Sequence, residues 1–147
     1  MAEGSGSSSF ANQMLSRLIE KGLSSPEETE LLLKKKLTED ENAKCIEAMK
    51  VSLLCPISQT RMNFPCRATT CQHVQCFDAD IFIQENEMNP KTWRCPVCQK
   101  PAHFQHLRLD GFFMSILRSP RLPPNAKDIN LEYRIIWEPL LPSDQLQ

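Results

Sequence analysis

Four side chains in the middle of this 147-residue sequence have the types and spacing of a closed metal site. They are Cys71 and His73, one residue apart, and the Cys-x-x-Cys pair Cys95 and Cys98. Zinc prefers thiolate sulfur and imidazole nitrogen in a tetrahedron, and a structural site is closed by four protein ligands. A Cys-x-x-Cys knuckle bends so that both sulfurs face one ion, and Pro96 stiffens that bend. On an extended strand, residues 71 and 73 point to the same side. Residues 74–94 leave room for a helix and a return loop. One zinc ion is therefore expected on Cys71, His73, Cys95 and Cys98, ahead of the alternative of a buried thiol cluster without metal.

A cross-braced, two-zinc RING would need a second set of ligands. In the usual order these come from an earlier Cys-x-x-Cys and from a pair starting three residues after the histidine. Those places hold Cys55 and Ser58, then Cys76 and Ala79. Serine is a poor zinc ligand, alanine is none, and two thiols do not close a tetrahedral site. Cys55 and Cys76 are expected to pack as small buried hydrophobes, with polar contacts from Ser58 and its neighbours. Of the remaining cysteines, Cys66 sits in "FPCRA", which reads as a strand, and Cys45 lies upstream.

The elements that must hold these residues are short. Phe10, Met14, Leu15, Leu18 and Ile19 recur at helical spacing, and Gly22 stands where a helix would end. In "SSPEE", Ser25 predicts an N-cap, Pro26 the first helical position and Glu28 the far side of a capping box, opening a second helix through Leu31, Leu32, Leu33 and Leu37. Thr38 and Glu41 repeat the device for a third helix, with Cys45, Ile46 and Met49 inward. Lys34 to Lys36 reads as a solvated helix end more than a nuclear address. "VSLLCPIS" and "RMNFPCRA" read as short extended segments around a turn. Asp78 predicts a cap for a helix from Ala79 to Glu87, ended at "NPKTW", and Asp110 a cap for one through Phe112, Phe113, Ile116 and Leu117, stopped by Pro120. "INLEYRIIW" should be extended and "EPLLPSDQLQ" a polar, Pro-broken tail. No internal repeat is read from the sequence.

The fold expected is a small α+β zinc-binding domain of RING/U-box type with one zinc, flanked by N-terminal helices and by a C-terminal helix plus extended segment. We divide the chain into a linker (1–9), an N-terminal helical segment (10–50), the zinc domain (51–105) and a C-terminal extension (106–147). A net charge of -1, with no polybasic stripe, argues against nucleic acid as the main partner. No apolar run approaches a membrane span, and "MAEGSGSSSF" is not a secretory signal, so the seven cysteines are read as metal ligands or buried thiols.

The stretch "VSLLCPIS…RMNFPCRATTCQHVQCFDADIFIQENE…TWRCPVC" resembles the SP-RING, or MIZ-type zinc finger, of the Siz/PIAS SUMO ligases. The half-occupied ligand set is itself a mark of that family. The likeness is close from Val51 to Leu117 and looser outside, where the N-terminal helices resemble the segment after the family's PINIT domain. The chain is read as a ligase core without SAP and PINIT domains.

The resemblance implies a SUMO transferase that binds the SUMO-charged conjugating enzyme and promotes transfer to a substrate lysine without a covalent ligase intermediate. No catalytic residue is implied. Ile57 and Pro96 would meet the conjugating enzyme, with Phe82 or Ile83 joining them. Gln99 stands where ubiquitin RINGs often carry a basic bridge, so contacts to SUMO would come from the region of Asp110 to Trp137. "LEYRIIWEP" is a poor match to a SUMO-interacting motif and reads as a structural strand. Partners would be the conjugating enzyme, SUMO and protein substrates such as transcription factors or chromatin proteins, in the nucleus. The competing readings are a RING or U-box ubiquitin ligase and a non-enzymatic zinc-stabilised module that binds a transcription regulator.

Overall fold

The computed structural model describes residues 6–38, 48–88, 93–132 and 136–141. Helix α1 (Gly6–Lys21) begins inside the stretch expected to be linker. Its buried stripe is Ala11 and Leu18, with Met14 and Leu15 half-buried, which is the i, i+3, i+4, i+7 pattern of one helix face. Phe10 and Ile19, assigned to that stripe from periodicity, are 54% and 47% exposed because they fall on either side of it. Gly22 ends the helix at φ +94°, a conformation that costs glycine nothing, and its N–H donates to Ile19 O. Lys21 Nζ reaches forward to Gln105 O at 2.9 Å and Leu107 O at 2.8 Å, tying the helix end to distant backbone.

Strand β1 (Leu23–Ser24) leads into α2 (Pro26–Thr38) through the predicted capping box. Glu28 Oε2 accepts from Ser25 N–H at 3.0 Å, and Glu28 N–H donates to Ser25 O at 3.1 Å. Leu33 and Leu37 face the core, while Leu31 faces out.

The expected third helix falls mainly on residues 39–47, outside the described residues. Where description resumes, Ala48–Ser52 forms strand β2, so Met49 lies on a strand and not on a helix. Cross-strand pairing decides this. β2 runs antiparallel to β6 (Asp128–Glu132), with Met49 opposite Leu131 and Val51 opposite Ile129. β6 in turn pairs with β7 (Trp137–Leu140), giving a three-stranded sheet in the order β2-β6-β7. The segment expected to be a tail thus begins as an edge strand. Pro139 is tolerated there because an edge strand needs no donor on its outer side.

The zinc-domain region contributes β3 (Pro65–Ala68), β4 (Phe77–Asp78), α3 (Ala79–Met88), a 3-10 turn (Phe104–His106), β5 (Leu107–Asp110) and α4 (Gly111–Leu117). A four-stranded sheet forms in the order β1-β5-β3-β4, with β1 parallel to β5 and the other pairs antiparallel. The divisions drawn at 50/51 and 105/106 cut through β2 and just ahead of β5, the strand that joins β1 to β3. Phe77, Phe82, Phe113, Leu53, Leu107, Leu109 and Ile116 are among the largest buried side chains, and Asp110 caps α4 by accepting from Phe113 N–H at 2.7 Å. No helix among the described residues is long and apolar enough to cross a membrane.

β1 meets α4 at a close backbone approach. A Cβ on Gly111 would lie 2.3 Å from Ser24 O and 3.3 Å from Leu23 Cβ. Backbone cannot rotate away as a side chain would, so Gly111→Ala must push β1 off β5. The expected cost is about 1–3 kcal/mol, as for overpacking elsewhere, seen as a lower thermal midpoint. An unchanged midpoint would show that β1 is free to move.

Candidate metal centre

The ligand atoms of Cys71, His73, Cys95 and Cys98 lie within 4.8 Å of one another, and this is the one such group of three or more among the described residues. In a tetrahedral site with zinc–sulfur bonds, sulfurs stand roughly 3.8 Å apart, so an ion fits between these four with little movement. His73 Nδ1 faces Gln75 O at 2.8 Å, which as an N–H donor leaves Nε2 free to ligate. That Nε2 lies 3.3 Å from Cys95 Sγ. The pair Cys71 and Cys95 shares a hydrogen bond. The Cys71 thiol donates and is pushed well above its ordinary value, while Cys95 is held down to about 3, first by that bond and further by His73 and the Cys98 and Val97 amides. A closed Cys3His set of this kind, whose thiols would give up their protons to the ion, is what a structural zinc needs.

Local backbone explains the placement. At Cys95 the knuckle is built from Gln99 N–H to Cys95 O at 2.9 Å and Cys95 N–H to Lys100 O at 2.9 Å, with Gln99 at φ +65°. An equivalent knuckle stands at Cys55: Gln59 N–H to Cys55 O at 2.8 Å, Cys55 N–H to Thr60 O at 2.8 Å, and Gln59 at φ +62°. A β-bridge flanks each, Leu54 with Arg61 and Arg94 with Pro101. "CPISQ" and "CPVCQ" are thus a repeated structural unit, although none was read from the sequence. The unit makes Val97 the counterpart of Ile57, and the sequence reading had passed over it. Val97 is 37% exposed, and Ile57 and Pro96 are half-buried at the same kind of tip.

The other predicted positions do not form a metal group. Ser58 Oγ bonds Thr60 Oγ1 at 2.7 Å, holding the turn that a second sulfur would have held. Cys55 is buried, and its sulfur accepts from Asp78 N–H at 3.3 Å. Ala79 is fully buried and opens α3. Cys76 Sγ receives Arg67 Nη1 at 2.9 Å, and that same nitrogen donates to Val74 O at 2.7 Å. Cys66, also buried, lies on β3 away from the ligand group. Burial pushes the Cys66 and Cys76 thiols up, so both stay protonated. Arg67 was not picked out from sequence, since nothing local marks a strand arginine as buried.

Phe82 is corrected. It is 2% exposed, packed at a tilt against Phe77 at 4.8 Å and edge-on to Trp93 at 5.7 Å, and Ile83 is fully buried beside it. Neither presents surface to a partner. Their role is to pack α3 under the knuckle that carries the exposed residues.

Residues 51–101 match the MIZ/SP-RING zinc finger family. The chain is 41% identical over 133 residues to E3 SUMO-protein ligase PIAS2 of Rattus norvegicus, covering 90% of this chain and 23% of that protein. It is 44% identical over 131 residues to E3 SUMO-protein ligase PIAS4 of Mus musculus, covering 88% of this chain and 25% of that protein. The crystal structure of the S. cerevisiae SUMO E3 ligase SIZ1 superposes with a TM-score of 0.80 at 34% identity, covering 89% of this chain and 44% of that one. For SIZ2 of the same organism the values are 0.78, 28%, 88% and 46%. The chain therefore spans about a quarter of the PIAS relatives and a little under half of the SIZ1 and SIZ2 chains, and the likeness runs beyond the zinc finger on both sides. Residues 51–101 are thus a MIZ/SP-RING zinc finger, and on sequence and on fold alike the chain around them is similar to the Siz/PIAS SUMO ligases.

Proposed function

We propose that the chain is the ligase core of a SUMO E3 ligase, holding a SUMO-charged conjugating enzyme so that a substrate lysine attacks the thioester. The observation that carries this is the paired knuckle. Two backbone units of the same geometry present Ile57 at one tip and Pro96 with Val97 at the other. One is closed by the Cys3His set and the other by protein contacts alone. Apolar tips held by turns of this type suit a chain whose contribution is orientation, since restricting a bound thioester to an attack-ready geometry lowers the barrier without an acid or base on the ligase. Zinc, when bound, supplies structure and no reaction step. We assign one ion to the chain, on Cys71, His73, Cys95 and Cys98. Contacts to SUMO are assigned to the region from Asp110 to Trp137, because Gln99 offers no cationic bridge. Nuclear residence and nuclear substrates are part of the same proposal and rest on the resemblance alone.

Single-turnover discharge of a SUMO-charged conjugating enzyme to free lysine is the direct test. The chain should accelerate it, and Ile57→Ala should lower that acceleration at least about tenfold, as loss of an interface anchor worth more than ~1.4 kcal/mol does, with the melting midpoint kept. Acceleration of ubiquitin discharge alone would transfer the chain to the ubiquitin ligases. A folded chain that accelerates neither would be the non-enzymatic module.

A further inference from the structure

Half-buried Gln75 stands between the metal centre and the three-stranded sheet, and its backbone and side chain face opposite ways. The backbone carbonyl takes the His73 ring, with Nδ1 2.8 Å from Gln75 O, the contact that leaves Nε2 for the ion. The side-chain amide turns to β2. Gln75 Nε2 donates to Ser52 O at 3.0 Å, and Gln75 Oε1 accepts from Ser52 N–H at 3.1 Å. The same Nε2 donates to Cys76 O at 2.8 Å. β2 is an edge strand in the order β2-β6-β7. Leu53 N–H donates to Lys127 O at 2.7 Å, so in the alternation of an antiparallel ladder the N–H and C=O of Ser52 point away from β6. A sheet edge leaves such groups open. Here one primary amide, a donor and an acceptor side by side, fills the place that a further strand would take.

We propose that Gln75 is a positioning residue for the metal, and that it couples the ion to the β2-β6-β7 sheet. Its amide locks the backbone of residues 75 and 76 onto β2. That lock holds Gln75 O where it fixes the orientation and tautomer of the His73 ring. Partners that orient a ligating histidine are typically worth 10–100-fold in metal affinity. The partner here is a backbone carbonyl, which no substitution removes directly, so the side chain that pins it is the point at which sequence sets its place. The coupling is reciprocal: an ion on His73 steadies the same backbone, and through the amide it steadies the open edge of β2. The proposal rests on the zinc assignment above and not on ligase chemistry.

The test uses the full chain loaded with zinc. Gln75→Met keeps the length of the side chain and removes both donor and acceptor. Gln75→Glu, the milder change, keeps an acceptor for Ser52 N–H and loses the donor to Ser52 O and Cys76 O. Zinc release to a chromogenic pyridylazo chelator should be about tenfold or more faster in both variants. In NMR spectra of the loaded chains, the His73 ring N–H, sheltered by Gln75 O in the wild type, should exchange with water about tenfold or more faster as well. Gly111→Ala, which strains the contact of β1 with α4, is the control for a general loss of stability. It should lower the melting midpoint while zinc release and ring N–H exchange stay close to the wild-type rates. Wild-type rates in Gln75→Met and Gln75→Glu, or an equal acceleration in Gly111→Ala, would overturn the proposal and leave the zinc assignment standing. A wild-type chain that takes up no zinc would overturn both.

Discussion

Cys95→Ser is expected to leave the chain without metal and without a cooperative fold. Cys95 is fully buried, and in the protein contacts its sulfur is the centre of the set: Cys71 donates to it, His73 Nε2 lies 3.3 Å away, and Val97 N–H points at it from 3.4 Å. Serine oxygen is a poor zinc ligand, so three good ligands remain. Zinc binding in small structural sites is worth roughly 10–16 kcal/mol and is coupled to folding. A domain's whole stability is only about 5–15 kcal/mol. Loss of the ion therefore removes more than the chain can spare. Metal analysis should give close to one zinc per wild-type chain and none for Cys95→Ser, and the variant's thermal transition should lose its cooperativity. A chelator should reproduce the effect on the wild type. A Cys95→Ser chain that melts like the wild type would show that packing alone holds the fold, and two zincs per wild-type chain would overturn the structural account of Ser58 and Ala79.

The convergence of the four candidate ligands was legible because chemistry restricts them. Only a few residue types bind zinc, and the x-x and x spacings fix which sulfurs and nitrogens can converge. Caps were legible for a similar reason: Ser25 with Glu28, and Asp110 ahead of Phe113, act within one turn. What failed depended on partners distant in sequence. Ala48–Ser52 became a strand because β6, some eighty residues on, supplies its pairing. Phe82 was assigned to the interface by the resemblance, yet the rings of Phe77 and Trp93 pack against it and close it off. The knuckle repeat could have been seen. "CPISQ" and "CPVCQ" differ in the one ligand position that matters, and attention to the lost ligand hid the preserved turn.

The lobe around Cys55 and Cys76, where the described residues form no metal-ligand group, raises the question of what holds it, and Arg67→Met should answer it with a loss of about 3–5 kcal/mol, the cost of stripping one partner from a buried ion pair. Arg67 lies on β3, 7% exposed, and its guanidinium reaches Val74 O, Cys76 Sγ and the Asp110 carboxylate. Asp110 also accepts from Thr29 Oγ1 at 2.6 Å and from the Phe113 amide. One cation thus joins β3, the loop that carries His73, helix α2 and the start of α4, a set of connections comparable to those a second metal would make. Burial works against the charge on Arg67, but the attraction and hydrogen bond of Asp110 offset it, so it remains a guanidinium. Removing it leaves the Asp110 carboxyl buried with only neutral donors. Asp110→Asn should cost a similar amount from the other side, because it strands the guanidinium while keeping an oxygen for the α4 cap. The double variant should recover much of the loss, since replacing both members of a buried pair is often close to neutral. Urea titrations of the zinc-loaded chains measure all four corners of this cycle. With m of about 1–3 kcal/mol/M, each single variant should move the midpoint by roughly a molar or more. Additive losses in the double variant would mean that the two residues stabilise the chain separately and that the lobe around Cys55 and Cys76 is held by apolar packing.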